Sequence, residues 1–311
     1  MVESPNPPAA NAAAFWDANK HKIHDASYWL AHPLCRFAAN RRISGDPHEW
    51  PLDWFRRRYV PSPFRRAISW GCGMGALERN AARIQLALAI DAFDVSTASL
   101  ADARRLLEEE GLTGVRYEIG DFNDPRIAHG TYDLVLFHAS LHHVARLGRL
   151  FRRMALRLEP RAVVYVDEYV GPSRFHWTTA ALAPAQALLD EAPRSAVLRP
   201  TIELPIEVDD PSEAVRSDEI PSFLEDFFEI DEWRPYGGQL ADVIFPYLEP
   251  TWTRSPEGNA YVQRLMDEED EQLRRDPSAS HNLVAVGRLK PRWRSVSVIA
   301  RQGIQGLRRR L

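Results

Sequence analysis

Short apolar runs alternate with longer amphipathic stretches from Arg66 onward. The pattern predicts strands at Ala67–Trp70, Leu86–Phe93 and Gly114–Ile119, with helices near Leu77–Gln85 and Thr97–Glu110. It continues through the strand "YDLVLFHAS", the helix "LGRLFRRMALRLEP", which Pro160 ends, and the strand "AVVYVDEYV". Because such alternation is typical of βαβ units, the sequence predicts an α/β fold with an open, doubly wound sheet. Ligands are then expected at the carboxyl ends of the strands.

Composition excludes several classes of protein. The chain has 311 residues, of which 45% are hydrophobic, so it can bury a large core. No apolar run reaches the roughly 18 residues of a membrane span, and the N-terminus lacks the pattern of a secretory signal, so we expect a cytoplasmic protein. The two cysteines, Cys35 and Cys72, support neither a disulfide framework nor a cysteine metal site. A net charge of -4 argues against a nucleic-acid partner.

Composition also divides the chain into regions. Residues 1–14 are rich in Pro, Ala and Asn and are expected to be disordered, whereas residues 15–62 are dense in aromatics and predict a helical cap. The main domain is expected at residues 63–290, with a proline-rich helical lid inserted at about residues 171–225. The charged stretch near Gly258–Arg275 predicts a solvated helix.

The C-terminal tail, residues 291–311, is basic. From Arg288 to Leu311 there are eight Lys or Arg residues and no carboxylate, and four apolar residues are spaced along one side of a possible helix. A solvated tail that partly packs on the domain is the simpler interpretation, since two glycines weaken such a helix. Contact with the inner face of an anionic membrane is the alternative.

The first predicted strand is followed by a glycine-rich turn, "GCGMG". Gly71, Gly73 and Gly75 allow the backbone to approach a ligand closely, since they carry no Cβ and adopt positive φ freely. Together with Ala76, the turn also fits the G-x-G-x-x-G/A pattern of dinucleotide-binding folds. The turn alone therefore does not decide between nucleotide ligands.

Acidic residues follow the next two strands. Asp94 ends the second predicted strand, where a carboxylate can accept two hydrogen bonds from a ribose diol, and Asp91 is the competing candidate. Asp121 follows the third strand, where its carboxylate can accept from the exocyclic amine of an adenine, with Phe122 beside it to contact the base. These positions indicate an adenosine-containing ligand.

Residues 66–168 resemble the class I S-adenosylmethionine-dependent methyltransferases. The motifs "AISWGCGMG", "FDVSTASLADAR", "GDFND" and "YDLVLFHASLHHV" are similar to the family's motifs in order and spacing. The resemblance implies a mostly parallel seven-stranded sheet, with "FFEIDEWRPYGGQL" and "HNLVAVGRLK" as its antiparallel edge, and S-adenosylmethionine as cofactor. It places these residues at the cofactor: Gly71, Cys72, Gly73, Gly75, Asp94, Val95, Asp121, Phe122 and His138.

One position departs from the family's pattern. The family often has an acid two residues before the first glycine, and this sequence has Ser69 there. Contact with the amine of the cofactor's methionine group must then come from backbone carbonyls or from another carboxylate, such as Glu78.

Candidate bases follow the fourth and fifth strands. His142 and His143 come directly after the fourth strand, and Glu168 ends the fifth. A histidine or carboxylate there can remove the proton of a hydroxyl acceptor, and we expect His142 to be this base. The alternative is that the histidines pack against, or cap, the next helix.

Polar and aromatic residues around the fifth strand predict an acceptor site. They are Asp167, Tyr169, Arg174, His176 and Trp177, with Arg216 farther along the chain. An arginine can anchor an anionic group and Trp177 can offer a flat surface to a sugar ring. Asp210, Glu213 and Arg216 either fold back toward this site or form an internally paired helix start. Since no metal-spaced motif occurs, no metal ion is expected.

These features predict an O-methyltransferase that acts on a sugar, a glycolipid or another small hydroxylated acceptor. The stretches "DEYVGPSRFHW", "DPSEAVRS" and "YGG" also resemble a bacterial methyltransferase subgroup linked to polysaccharide and glycolipid modification. The acceptor is then a small molecule or a lipid-linked glycan. An N- or C-methyltransferase of a small metabolite and a non-catalytic cofactor-binding module are the alternatives.

Overall fold

The computed structural model describes residues 9–19, 28–127, 132–155, 158–203, 210 and 212–291. The predicted disorder of residues 1–8 and the predicted membrane contact of residues 292–311 lie outside the described residues. Among the helices that the structure describes, none has the length and apolar character needed to cross a bilayer.

Seven strands form one sheet in the order β3-β2-β1-β4-β5-β7-β6. Their bounds are β1 Ala67–Trp70, β2 Ile90–Asp94, β3 Val115–Ile119, β4 Tyr132–His138, β5 Leu158–Tyr169, β6 Phe228–Gly237 and β7 Asn282–Leu289. Strands β1 to β5 pair in parallel, and β7 runs antiparallel to both of its neighbours, β5 and β6. This sheet confirms the predicted doubly wound, mostly parallel fold.

The described helices cover both faces of the sheet. They are α1 Ala9–Asn19, α2 Pro33–Ser44, α3 Pro51–Tyr59, α4 Ala76–Arg83, α5 Thr97–Glu109, α6 Leu147–Ala155, α7 Thr179–Asp190, α8 Ile220–Phe227, α9 Ala241–Ile244, α10 Pro250–Thr253 and α11 Pro256–Arg275. Successive residues of β4 point to opposite faces: Leu134 and Leu136 join one core, and Val135 and Phe137 join the other. Fully apolar central strands are what a sheet covered on both faces requires.

Several local boundaries differ from the sequence-based expectation, and β2, for example, begins at Ile90 rather than at Leu86. Helix α6 ends at Ala155, and Pro160 lies inside β5, where the pairing with β4 shifts register between Tyr132 and Leu134. Proline is compatible with a strand at such a bulge because no ladder hydrogen bond from its nitrogen is needed there. Helix α1 begins at Ala9, within the stretch expected to be disordered.

The predicted lid insertion, residues 171–225, is only partly a lid. It contributes α7, whose Leu182 and Leu189 enter the core of one layer, and α8, whose Leu224 enters the other. Residues 210 and 212–219, called here the lid segment, lie near the turn that follows β4, where Val215 N donates to His142 O at 3.0 Å. The insertion therefore completes the helical layers and also covers the turn at the carboxyl end of β4.

Helix α11 was expected to be solvated, but it carries a buried ion pair to the N-terminal cap. Glu269 is fully buried, and its Oε2 accepts from Arg42 Nη1 at 2.6 Å. Its Oε1 accepts from the backbone N–H groups of Gly238, Leu240 and Ala241. Glu269 therefore joins α2 to the start of α9. Sequence periodicity did not reveal this because Glu269 stands in the acidic run Asp267–Glu271, which is typical of a solvated helix face.

We expect Arg42→Ala to lower the free energy of unfolding by about 3–5 kcal/mol, because it leaves the buried carboxylate of Glu269 without its counter-ion. The measurement is equilibrium urea unfolding. The matched control is Arg41→Ala, whose side chain is 49% exposed in its ion pair with Asp270, and there we expect a loss below about 1 kcal/mol. Equal losses for the two variants would contradict the role of the buried pair.

Candidate active site

The turn between β1 and α4 lacks side chains at Gly71 and Gly73, for a different reason at each position. Gly71 has φ +69°, and a Cβ there would lie 2.6 Å from Ser140 Cβ, so the protein's own packing excludes a side chain. Gly73 has φ +51°, and a Cβ there would have no atom within 4 Å. Gly71 thus lets the turn after β4 approach, whereas Gly73 leaves open backbone that a ligand can reach.

Asp94 ends β2 beside this turn. Its Oδ2 accepts from Gly73 N and its Oδ1 from Ser96 N, both at 2.8 Å, and burial raises its pKa. Asp91, the competing candidate, lies inside the sheet, where it pairs with Arg66 and Arg116. Asp94 is therefore the carboxylate at the strand end, and Asp91 is engaged elsewhere.

The end of β3 reaches the same turn. Asp121 Oδ1 accepts from Asn123 N at 2.7 Å, and the ring of Phe122 would lie 3.4 Å from a Cβ on Gly71. Val95 and Cys72 are half-buried next to Asp94 and the glycines. The carboxyl ends of β1, β2 and β3 therefore bring the predicted cofactor residues together.

Glu78 lies beside Ser69, the position at the end of β1 where the family often has an acid. Ser69 Oγ donates to Glu78 Oε1 at 2.5 Å, and Glu78 is buried, which raises its pKa. Its Oε2 has no hydrogen-bond partner among the described residues. A cation or donor from a ligand would satisfy this oxygen, so Glu78 stays a candidate for contact with the amine of the cofactor's methionine group.

A cavity of about 370 Å³ lies between the cap and the carboxyl ends of β4 and β5. The residues that line it include Arg36, Trp50, Asp53, Asn80, His138, Tyr165 and Asp167. The guanidinium of Arg36 lies 4.7 Å from the Trp50 ring centroid, and its buried Nε lacks a hydrogen-bond partner within the described chain. His138 Nε2 lies 3.8 Å from Asp167 Oδ2, and Asp167 Oδ1 accepts from Tyr236 OH at 2.7 Å. The cavity therefore combines a largely apolar wall with a few charged and polar groups, and it begins at the first turn of α4.

Glu168 organises the turn after β4. One oxygen accepts from Ser140 N and Leu141 N, both at 2.6 Å, and the other accepts from His142 Nδ1 at 2.8 Å. Burial by itself raises the pKa of Glu168, but the hydrogen bond and charge of His142 and the two backbone donors lower it below its ordinary value. Glu168 is therefore a buried, ionised anchor for the turn.

The lid segment brings two more carboxyl groups to the histidines. Glu213 Oε1 lies 3.4 Å from His142 Nε2, and Asp210 Oδ2 lies 3.4 Å from His143 Nδ1. Burial lowers the pKa of His142, but Glu213, Glu168 and Asp210 outweigh it and raise the pKa to about 9. Burial and the charge of His142 lower the pKa of His143. His142 therefore holds its proton near neutral pH, which is unfavourable for the expected base role.

Residues 67–161 match the family model described as a methyltransferase domain. The chain carries a methyltransferase domain. It is a transferase whose cofactor is S-adenosylmethionine. The bare backbone at Gly73, the carboxylate of Asp94 and the unpartnered atoms of Glu78 and Arg36 fit an adenosine ligand with an amino-acid end.

Three solved structures are similar to the methyltransferase at low identity. The cyclase SpnF has 16% identity over 93% of this chain and 98% of its own, with a TM-score of 0.49. Phosphoethanolamine N-methyltransferase 2 of Haemonchus contortus has 16% identity over 90% of this chain and 60% of its own, with a TM-score of 0.49. An S-adenosylmethionine-dependent methyltransferase of Mesorhizobium loti has 18% identity over 77% of this chain and 97% of its own, with a TM-score of 0.42. No curated protein sequence matches the chain.

Most residues expected at the acceptor instead hold the lid and core of the methyltransferase. Trp177 is 7% exposed and stacks against Phe175 and His281, so its ring is not an open platform. Tyr169 is buried and donates to Pro172 O at 3.3 Å.

The remaining expected acceptor residues divide between the lid and the cavity. Arg174 Nη1 donates to Glu213 O at 3.2 Å, and Arg216 pairs with Glu219. His176 is exposed to solvent. Asp167 alone among the expected acceptor residues lines the cavity.

Sequence analysis missed the cavity residues of the cap. Arg36 belongs to α2, Trp50 to the loop after it and Asp53 to α3, and all three precede the glycine turn. No motif marks them, because a helix that crosses the end of a sheet contacts a ligand through tertiary packing.

Helix α1 lies at the carboxyl ends of the strands of the methyltransferase. The Trp16 ring lies 5.2 Å from the His143 ring, and Asp17 Oδ1 accepts from Ser96 Oγ at 2.6 Å and from Ala98 N at 3.0 Å. The helix therefore spans the distance from the end of β2 to the turn after β4, across the cofactor residues.

We expect Gly71→Ala to lower the free energy of unfolding by about 1–3 kcal/mol more than Gly45→Ala, because only the former forces a Cβ against Ser140. Gly45 also has positive φ, +91°, but open space around it, so its substitution adds backbone strain without overpacking. Urea unfolding of both variants is the test. Equal destabilisation would mean that the turn after β4 moves aside without cost.

Proposed function

We propose that this methyltransferase transfers a methyl group to a hydroxyl oxygen of a small polyhydroxylated acceptor bound in the cavity between the cap and the sheet. The supporting observation is the half-exposed His138 facing Asp167 inside a cavity that begins beside the glycine turn. A sugar, free or in a glycolipid, is the acceptor class that fits best. Carboxylates and flat aromatic rings line the cavity, and both suit a polyol.

The cofactor residues have separate tasks in this proposal. S-adenosylmethionine supplies a methyl group on a sulfonium, which is already activated for transfer. Asp94 accepts hydrogen bonds from the ribose, and Asp121 with Phe122 contacts the adenine. Glu78 meets the amine and Arg36 the carboxylate of the amino-acid end, since each has a buried polar atom without a partner among the described residues.

His138 and Asp167 handle the proton. As the methyl group leaves sulfur and its carbon bonds to the acceptor oxygen, the hydroxyl proton must depart. In this proposal His138 accepts the proton, and Asp167, whose Oδ2 lies 3.8 Å from His138 Nε2, stabilises the imidazolium that forms. Tyr236 OH donates to Asp167 and orients it.

The buried histidines near Glu168 are not the base in this proposal. His142 is held by Glu168 and Glu213 and is inaccessible to a solvent-sized group, with 7% of its surface exposed. The cavity, in contrast, opens to His138. Contact of residues 292–311 with an anionic membrane stays a prediction, and it would bring the enzyme to lipid-linked acceptors.

We expect Asp94→Asn to weaken S-adenosylmethionine binding by about 10- to 100-fold, because a hydrogen bond to an ionised carboxylate contributes about 1.5–3 kcal/mol. Calorimetric titration with S-adenosylmethionine and S-adenosylhomocysteine measures the change. Asp102→Asn is the control, since Asp102 lies on the outer face of α5 in a surface ion pair. Unchanged affinity in Asp94→Asn would contradict the contact between Asp94 and the ribose. Binding of NAD instead of S-adenosylmethionine would contradict the assignment of the cofactor.

We expect His138→Gln to lower kcat by about 10²- to 10⁴-fold, the usual contribution of a general base, with little change in S-adenosylmethionine affinity. Asp167→Asn should cause a smaller loss, and His48→Gln, at an exposed histidine in the loop between α2 and α3, is the control. The assay follows labelled methyl transfer to neutral sugars, nucleoside-diphosphate sugars and matched amino sugars. Transfer to nitrogen in the amino sugars alone would replace O-methylation with N-methylation, and full turnover in His138→Gln would exclude this base.

A further inference from the structure

We propose that His142, His143 and Glu213 form a binding site for one divalent transition-metal ion. One nitrogen of each histidine and one carboxylate oxygen lie within 4.8 Å of one another. His142 Nε2 is 3.4 Å from Glu213 Oε1, and His143 Nε2 is 3.8 Å from Glu213 Oε2. Two imidazoles and a carboxylate converge here from two separate parts of the chain.

The other nitrogen of each histidine is already held by a polar group. His142 Nδ1 donates to Glu168 Oε2 at 2.8 Å. His143 Nδ1 lies 3.1 Å from Ser212 Oγ and 3.4 Å from Asp210 Oδ2. Metal-bound histidines are oriented in this way, with Nδ1 fixed by a carboxylate or hydroxyl so that Nε2 presents its lone pair. Both rings therefore present Nε2 toward Glu213.

A second observation points to a missing cation. Asp210 is 95% buried, because only 5% of its surface is exposed, and its Oδ2 has no hydrogen-bond partner among the described residues. Glu168 and Glu213 add two more carboxylates around the same pair of rings. Burying this much negative charge is costly, and a bound divalent ion would compensate more of it than the two histidines do.

The donor set selects the class of ion. Two imidazole nitrogens and one carboxylate suit Zn²⁺, Fe²⁺ or a similar first-row ion, whereas Mg²⁺ and Ca²⁺ prefer oxygen ligands alone. Bonds of about 2.0–2.2 Å place neighbouring ligand atoms about 3.3 Å apart. The Glu213 carboxylate already lies close to that spacing, and a small approach of the two rings completes it.

A bound ion would tie the lid segment to the turn after β4. His142 and His143 belong to that turn, whereas Glu213 belongs to the lid segment, and the described links between the two include Val215 N to His142 O and His143 Nδ1 to Ser212 Oγ. Trp16 packs against His143 from the outside. The ion would thus hold the lid segment against the turn after β4.

The test uses the full-length protein without an affinity tag, stripped with a chelator and titrated with Zn²⁺ and, as a spectroscopic probe, with Co²⁺. We expect one ion per chain by calorimetry and elemental analysis, visible d–d absorption from Co²⁺, and a raised melting temperature. Mg²⁺ should produce none of these. Wild-type protein that binds neither Zn²⁺ nor Co²⁺ at one ion per chain would overturn the proposal.

Variants assign the ion to these residues. His142→Ala and Glu213→Gln should each weaken Zn²⁺ binding by at least about 100-fold, and Asp210→Asn by about 10- to 100-fold, the usual effect of a group that orients a ligand. His48→Ala, at an exposed histidine, should bind Zn²⁺ as wild type does.

Folding of each variant is checked by circular dichroism and S-adenosylmethionine titration, and the conservative Glu213→Gln keeps the shape of the side chain if His142→Ala fails to fold. Wild-type Zn²⁺ affinity in Glu213→Gln would place the ion elsewhere. Since none of these readouts involves methyl transfer, the result is independent of the proposed acceptor.

Discussion

The buried carboxylate of Glu168 is the interaction on which the site depends. It accepts from Ser140 N, Leu141 N and His142 Nδ1, and so it sets the path of the chain after β4. An ionised group in a dry environment is stable only when its oxygens are satisfied in this way. The path that results places Ser140 directly against Gly71, and the glycine turn, the histidines and the lid segment all meet at this point.

The N-terminal cap has a corresponding anchor in the pair of Arg42 and Glu269. Buried pairs add little net stability compared with apolar packing, but a broken pair is costly, so the pair specifies how the cap must dock. Docking in this position brings α2 and α3 over the ends of β4 and β5. The cavity between them therefore takes Arg36 and Asp53 from the cap and His138 from the sheet.

Local sequence patterns predicted the architecture well where local chemistry decides it. Apolar runs with glycine turns located the parallel strands, and an acid at each strand end located Asp94 and Asp121. The same reasoning failed for Pro160, which sits at a bulge in β5, and for the start of α1. It also assigned Trp177 to a sugar, although the ring is stacked in the core. These outcomes depend on neighbours that are distant in sequence.

The sequence by itself determined the order of strands and helices, the glycine turn and the resemblance of this stretch to a methyltransferase domain, because periodicity and turn chemistry act over a few residues. Only the tertiary structure decided which polar groups meet. Glu213 reaches His142 across 71 positions, and Arg36 reaches the ends of the strands from another helix. Such contacts depend on how the helices pack on the sheet and on which side chains this packing buries. The spacing of residues along the chain does not predict either of these.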